Sequence, residues 1–146
     1  MSEAIRATPA WALALLRDAR VGRLATADAA GRPLVVPVCY AADSARIYSA
    51  VDAKPKATRN LRRLRNIADN PQVSLVVDVW DEDWSRLAWV RMQGDASVVA
   101  EEAEYAAAVA ALRAKYPQYK DARFAPASHP LIRVAIARVT AWQARP

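Results

Sequence analysis

A run of positively charged side chains is the strongest chemical signal in this sequence. Six cationic residues and no acidic residue lie between Lys54 and Arg65. The whole chain has 21 Lys and Arg residues against 15 Asp and Glu residues, so these six account for its net charge of +6. Cations crowded on one helix repel one another when no acidic residue neutralises them. The segment therefore predicts a binding site for an anionic group.

The basic run coincides with the start of a predicted helix. Pro55 suits the first position of a helix, and the predicted buried stripe consists of Ala57, Leu61, Leu64 and Ala68. The first turn of a helix offers unpaired amide N–H groups and the positive end of the helix dipole to an anion. The anion is expected at this turn, beside Lys54, Lys56 and Arg59. The cations further along, Arg62, Arg63 and Arg65, are expected to face solvent.

Six strands are predicted, three before this helix in the sequence and three after it. They cover residues 21–27, 34–40, 46–51, 73–80, 87–99 and 131–142. The second strand is almost continuously apolar, which predicts burial of both faces. Pro37 within it predicts an edge strand or a bulge, and Gly94 predicts a bulge in the fifth strand. Two further helices are predicted, from Pro9 to about Asp18 and from Glu101 to Tyr116.

The element pattern predicts a small barrel decorated by helices. Closing six mostly antiparallel strands into a barrel removes exposed sheet edges. The three predicted helices would pack on the outside of the barrel. The predicted fold class is therefore mainly β (α+β). A length of 146 residues predicts one domain, residues 1–146.

Composition excludes several functional classes. No apolar run reaches the length of a membrane span, and the N-terminus lacks the layout of a signal peptide. Cys39 has no second cysteine to pair with, which favours a cytoplasmic location. One cysteine and one histidine are too few for a zinc site. Cations confined to one helix disfavour nucleic-acid binding, which normally uses several elements.

A series of short motifs extends over nearly the whole chain. They are GRLAT at 22–26, GRP at 31–33, VVPV at 35–38, IYS at 47–49, KPK at 54–56, RNL at 59–61, NPQVSL at 70–75, WVRMQG at 89–94 and RVTAW at 138–142. Their order resembles the pyridoxamine-5'-phosphate-oxidase-like split-barrel family. Within that family the chain is most similar to the small actinobacterial branch that uses the deazaflavin coenzyme F420.

The resemblance implies a homodimer of split β-barrels with a cofactor site in each groove between the subunits. The phosphate would bind at the helix start, at Lys54, Lys56, Arg59 and Asn60. The ring would lie along the second and third strands, at Val36, Pro37, Val38, Tyr48 and Ser49. The partner subunit would add aromatic and basic groups, for which the candidates are Trp89 and Arg91.

Two departures from the FMN-binding members of the family favour the deazaflavin. Those members have an arginine before the apolar residues of the second strand and an Arg-Lys pair at the helix start. This chain has Val35-Val36 and Pro55-Lys56 at these places, and its additional arginines suit a longer anionic tail.

The resemblance thus implies an oxidoreductase that uses F420 to transfer a hydride to a small organic acceptor. Three alternatives stay open. They are an FMN-dependent oxidoreductase, a split barrel that handles haem or another tetrapyrrole, and a non-catalytic cofactor carrier. Neither the acceptor nor a catalytic residue is predicted.

Overall fold

The structure, a computed structural model, describes residues 2–51 and 58–145, with side chains for 2–51 and 62–145. The strands are β1 (Gly22–Ala27), β2 (Pro33–Val38), β3 (Ala41–Ala42), β4 (Arg46–Ala50), β5 (Gln72–Val79), β6 (Ala88–Val98) and β7 (Leu131–Gln143). The α-helices are α1 (Glu3–Arg6), α2 (Ala10–Asp18), α3 (Thr58–Asp69) and α4 (Glu102–Lys115). Single 3-10 turns cover Trp84–Arg86 and Pro117–Tyr119.

All seven strands belong to one antiparallel sheet in the order β2-β1-β5-β6-β7-β4-β3. Its two edge strands, β2 and β3, are joined by Cys39 and Tyr40 alone. Since three Cα–Cα steps span at most about 11 Å, the two edges must lie close together, and the sheet curls into a split barrel. The predicted fold class is confirmed. Strand β3 and helix α1 were not predicted from the sequence, because they are too short to show a periodic pattern.

Alternating side chains of the strands fill the barrel. The buried set includes Leu24, Ile47, Leu75, Val77, Val90, Met92, Ile132 and Val134. Leu16 of α2 and Ile67 of α3 join this core from outside the sheet. A second core lies beneath α4, where Tyr105, Val109 and Leu112 pack with Leu131.

The predicted burial of both faces of the second strand is wrong for the single chain. In β2, Val36 and Val38 pack against the barrel core, whereas Val35 points outward and is 60% exposed. The apolar sequence predicted two covered faces, and the chain by itself covers one of them. The edge position predicted from Pro37 is confirmed, because β2 pairs only with β1.

Helix α3 packs through a face that differs from the predicted stripe. Leu64 contacts the core as predicted, but Ala68 is exposed and Ile67 is buried instead. Ala57 and the side chain of Leu61 lie outside the described part of the chain. The buried face also contains a polar residue, Asn66, which disguised its pattern in the sequence.

Two tyrosines hold the link between the sheet edges. Tyr40 is fully buried, and its N–H donates to Tyr116 Oη at 3.0 Å. The Tyr116 hydroxyl in turn donates to the Arg20 carbonyl at 3.0 Å, and the Tyr40 hydroxyl donates to the Leu16 carbonyl. These bonds connect α2, the barrel closure and the residue that follows α4.

Lys115 lies over the same closure. Its Nζ is 3.8 Å from the centroid of the Tyr40 ring, and it is buried without a hydrogen-bond acceptor among the described residues. Burial, together with the nearby Arg20, lowers the pKa of Lys115 to about 8. The closure therefore contains an ammonium group whose charged form is disfavoured by folding.

We expect Lys115→Met to be more stable than the wild type at neutral pH, with an advantage that shrinks as the pH rises from 8 towards 10.5. Between the folded pKa of about 8 and the unfolded value of 10.5, the unfolded chain keeps a proton that the folded chain has lost. Wild-type stability therefore rises with pH relative to the variant. Urea unfolding of both proteins across this range measures the difference, and a difference independent of pH would contradict the expectation.

The predicted bulge at Gly94 is confirmed by a register shift between Gln93 and Gly94 in the pairing of β6 with β7. A Cβ at Gly94 would lie 2.0 Å from the Ala135 carbonyl oxygen, so the two strands approach too closely for any other residue.

Replacing Gly94 by Ala is expected to lower the free energy of unfolding by about 3 kcal/mol, because the clash is with backbone that is paired in the sheet. Gly22→Ala is the matched control. Its Cβ would meet only the end of the Leu75 side chain, at 3.0 Å, which can shift. Chemical denaturation of both variants measures the losses, and equal losses would argue against a backbone clash at Gly94.

Candidate functional site on the outer face of the barrel

The outer face of the sheet forms a regular grid that the strand register defines. One row across five strands consists of Pro37, Arg23, Val76, Arg91 and Thr140. The next row consists of Val35, Ala25, Ser74, Gln93 and Arg138. Neighbouring strands lie about 4.8 Å apart and successive rows about 7 Å apart. Pro37 and Arg91, three strands apart, are thus separated by about 14 Å.

One end of this face is aromatic. Trp89 of β6 lies directly opposite Trp142 of β7, one row above Arg91 and Thr140. The loop between β5 and β6 adds Trp80 and Trp84, which are 67% and 68% exposed. Large exposed apolar side chains collected on one face indicate a surface that another molecule covers.

The charges on the outer face are not balanced. Arg23 is neutralised by Asp78, with Nη1 and Oδ1 2.8 Å apart. Arg91 and Arg138 have neither an ion pair nor a hydrogen bond with any described residue. The Arg91 guanidinium only approaches the Trp89 ring, at 5.8 Å from its centroid. Among the residues that the structure describes, these two guanidinium groups therefore have no counter-ion.

The predicted anion site at the helix start is only partly described. Lys54 and Lys56 lie outside the described residues, as do the side chains of Arg59 and Asn60. Further along α3, the exposed Arg62 and Arg65 line a cavity of about 550 Å³ beside the turn that joins β1 to β2. Neither arginine has an ion pair with the part of the chain that is described, but Asp28 and Asp69 line the same cavity, so its charge is mixed.

A buried hydrogen bond positions α3 beside this turn. The Asn66 side chain is 4% exposed, and its Nδ2 donates to Thr26 Oγ1 of β1 at 3.1 Å. Both groups are buried, so each depends on the other for a partner.

The two predicted site residues of β4 point to opposite sides. Ser49 is buried, and its Oγ donates to the Cys39 carbonyl at 2.8 Å, close to the end of β2 that carries Pro37. Tyr48 faces α4, where its hydroxyl donates to Glu104 Oε1 at 2.8 Å. Burial, and then the hydrogen bond to Glu104, raise the pKa of Tyr48. Tyr48 thus belongs to the second core, and Ser49 lies near Pro37.

Glu104 is the centre of a polar cluster that the sequence analysis did not predict. Its Oε2 accepts a hydrogen bond from Arg133 Nη1 at 2.9 Å, and its Oε1 lies 3.8 Å from Arg46 Nη1. Burial by itself would raise the pKa of Glu104, but the hydrogen bonds from Tyr48 and Arg133 outweigh it and lower the pKa. The cluster joins α4 to β4 and β7. No local motif signals it, because only the register places Tyr48 opposite Arg133.

The predicted ring-binding residues therefore fall into separate groups. Pro37 and Ser49 lie near the barrel closure, and Trp89 and Arg91 lie together on β6. The side chains of Val36 and Val38 pack inward, so a ligand on the outer face could contact only their backbone. In the described ranges, no three His, Cys, Asp or Glu side chains converge as metal ligands, and no helix is long and apolar enough to cross a bilayer.

A curled antiparallel sheet whose edges meet without pairing defines this protein as a split β-barrel. Its sequence matches the Pyridoxamine 5'-phosphate oxidase family over residues 9–143, nearly the full length, and the chain belongs to that family. The family resemblance inferred from the motifs is thus confirmed, and the deazaflavin branch remains a prediction. A comparison with curated protein sequences gives no significant match.

Several solved structures share the fold. A FAD-binding protein from Mesorhizobium loti is 24% identical, with a TM-score of 0.66 over 92% of this chain and 94% of that one. The haem storage protein HutZ from Vibrio cholerae is 19% identical, with a TM-score of 0.67 over 86% and 87%. A FAD-binding protein from Mycobacterium smegmatis is 18% identical, with a TM-score of 0.65 over 92% and 95%. Such low identities establish the fold alone.

Breaking the Asn66–Thr26 hydrogen bond is expected to loosen α3. Asn66→Ala leaves the buried Thr26 hydroxyl without its partner and should lower the free energy of unfolding by about 1–3 kcal/mol. Thr26→Val should have a similar effect, and the double variant should lose less than the sum of the two. Urea denaturation of the three variants measures the coupling, and strictly additive losses would mean that the two side chains do not interact.

Proposed function

We propose that this protein is an oxidoreductase that binds the deazaflavin coenzyme F420 between two copies of the chain and transfers a hydride to a small organic acceptor. The observation that carries the proposal is the outer face of the barrel. There, exposed aromatic and aliphatic side chains adjoin Arg91 and Arg138, neither of which has an ion pair with a described residue. A flat ring cofactor and an anionic acceptor stacked on it need both kinds of surface.

The separation between the predicted ring contacts supports a homodimer. Pro37 and Arg91 of one chain are about 14 Å apart. A ring bound at Pro37 of one chain would therefore reach Trp89 and Arg91 more readily if these two residues came from a second copy. A second copy would also cover Val35, Trp80 and Trp84, which the single chain leaves exposed.

The residues of this chain fit a cofactor with a long anionic tail. Pro37 offers an apolar edge for the ring, and Lys54, Lys56, Arg59 and Asn60 remain the residues proposed to hold the phosphate. Arg62 and Arg65, which line the cavity beside α3, would extend the cationic surface towards the tail. When bound, the reduced deazaflavin would supply a hydride, and the acceptor would need one proton as well to complete the two-electron reduction. The candidate proton donors are Tyr48, a water ordered by an arginine, and bulk solvent.

A flavin is the second candidate, because two proteins of the same fold bind FAD. Haem storage is less well supported by the residues of this chain. Its only histidine, His129, packs against Phe124 just before β7. Along the chain His129 is about 30 Å from Arg138, so it lies far from the outer face on which a ring would bind. A non-catalytic carrier would use the same surface, and only turnover separates it from an enzyme. A cytoplasmic location remains a prediction.

Titrating the cofactor-free protein with F420, FMN and FAD tests the proposal. We expect the deazaflavin to bind most tightly, and Lys56→Ala or Arg59→Ala to weaken it by about 1–3 kcal/mol. Arg123→Ala, which removes an exposed charge from the loop before β7, is the matched control and should leave the affinity unchanged.

Three results would contradict this proposal at different levels. Tight flavin binding without deazaflavin binding would overturn the choice of cofactor. A monomer in sedimentation experiments with the cofactor bound would overturn the site between subunits. If quinones, enones and tetrapyrroles all failed to reoxidise the bound, reduced deazaflavin, the protein would be a carrier and not an enzyme.

A further inference from the structure

We propose that Arg91 and Arg138 bind a carboxylate group of the acceptor, and that the Trp89–Trp142 pair binds its flat conjugated body. This inference rests on the proposed function and names the class of acceptor as planar aromatic carboxylates. Trp89 and Arg91, predicted above as contacts of the cofactor ring, would bind the acceptor where it stacks on that ring. Arg138 and Trp142 were not among the site residues predicted from the sequence.

The strand register places the two arginines together. Arg91 lies opposite Thr140, and Arg138 lies opposite Gln93, so the arginines are diagonal neighbours on the same face of β6 and β7. Diagonal neighbours in an antiparallel pair are about 7–8 Å apart at the backbone, which long side chains span easily. A carboxylate between them can accept hydrogen bonds from both guanidinium groups, one at each oxygen.

No other described charged group nearby forms an ion pair with these two arginines. Asp78 is occupied by Arg23 at 2.8 Å. In the loop between β5 and β6, Asp81 and Asp83 both lie within ion-pair distance of Arg86, at 3.6 and 3.8 Å, whereas the exposed Glu82 has no ion pair with a described residue.

Asp95 is the remaining carboxylate on this part of the sheet. It lies opposite Ala135, on the far side of Arg138 from Arg91, and forms no ion pair with a residue of the described ranges. Asp95 should therefore weaken anion binding at Arg138 moderately without preventing it.

The aromatic pair sets the shape of the ligand. Trp89 and Trp142 face each other across the strands, one row from Arg91 and therefore about 7 Å away along the sheet. An aromatic ring joined to a carboxylate through a short unsaturated link spans about this distance and can stack on an indole. The cavity of about 560 Å³ that Arg138 shares with Asp95 lies on the other side of Arg138 from the tryptophans and is not part of this site. An uncharged acceptor would leave the arginines unpaired.

Equilibrium dialysis of the cofactor-free protein with trans-cinnamate and its uncharged analogue cinnamamide tests the inference. We expect the wild type to prefer the carboxylate roughly tenfold, a difference typical of a hydrogen bond to a charged group. Quenching of tryptophan fluorescence should accompany binding of either compound, because both contain the ring.

Matched variants assign the preference to the two arginines. Arg91→Gln and Arg138→Gln should each abolish most of the preference for cinnamate over cinnamamide. Arg138→Lys should retain part of this preference, and Asp95→Asn should increase it. Arg123→Gln removes the same charge elsewhere and should leave the preference intact. Equal affinities for the two compounds in the wild type, no binding of either, or the same loss in Arg123→Gln as in Arg138→Gln would overturn the inference.

The outcome is separable from that of the proposed function. If the deazaflavin binds but cinnamate is not preferred, the acceptor class is wrong and the cofactor proposal stands. If cinnamate is preferred but the deazaflavin does not bind, the anion site on β6 and β7 stands and the cofactor proposal fails.

Discussion

Closure of the sheet through Cys39 and Tyr40 is the constraint on which the rest of the structure depends. Two residues are too few to let the edge strands diverge, so the sheet must curl around its apolar face. Tyr40 occupies the junction and is bonded to α2 and to Tyr116, which brings both helices against the barrel. The same closure places Ser49 beside the end of β2.

A curled sheet has one face inside the barrel and one face outside. The outer face carries the apolar side chains that the single chain leaves in solvent. The interior is filled, whereas Val35, Trp80 and Trp84 remain in solvent. Apolar area of this kind is stabilising only when something covers it. The continuously apolar sequence of β2 is consistent with a partner on that side, although one chain buries only the inner half.

The distribution of charge changes once the strands are paired. In the sequence, the excess of cations belongs to the segment from Lys54 to Arg65. In the folded chain, Arg23 has a partner, while Arg91 and Arg138 are diagonal neighbours on β6 and β7 and have no ion pair with a described residue. Two cationic surfaces, the segment from Lys54 to Arg65 and the outer face of β6 and β7, are therefore candidates for anion binding.

The sequence by itself predicted the long strands and helices, a bulge at Gly94, and either an edge strand or a bulge at Pro37, because each of these depends on local backbone chemistry. A proline lacks an N–H wherever it stands, and a glycine tolerates close approach whatever follows it. The sequence motifs also identified the family. Only the tertiary structure decided which side chains share a face, because strand register is set by pairing between distant residues. That register joins Tyr48 and Arg133 at Glu104, sets Arg91 beside Arg138, and places Trp89 three strands away from Pro37.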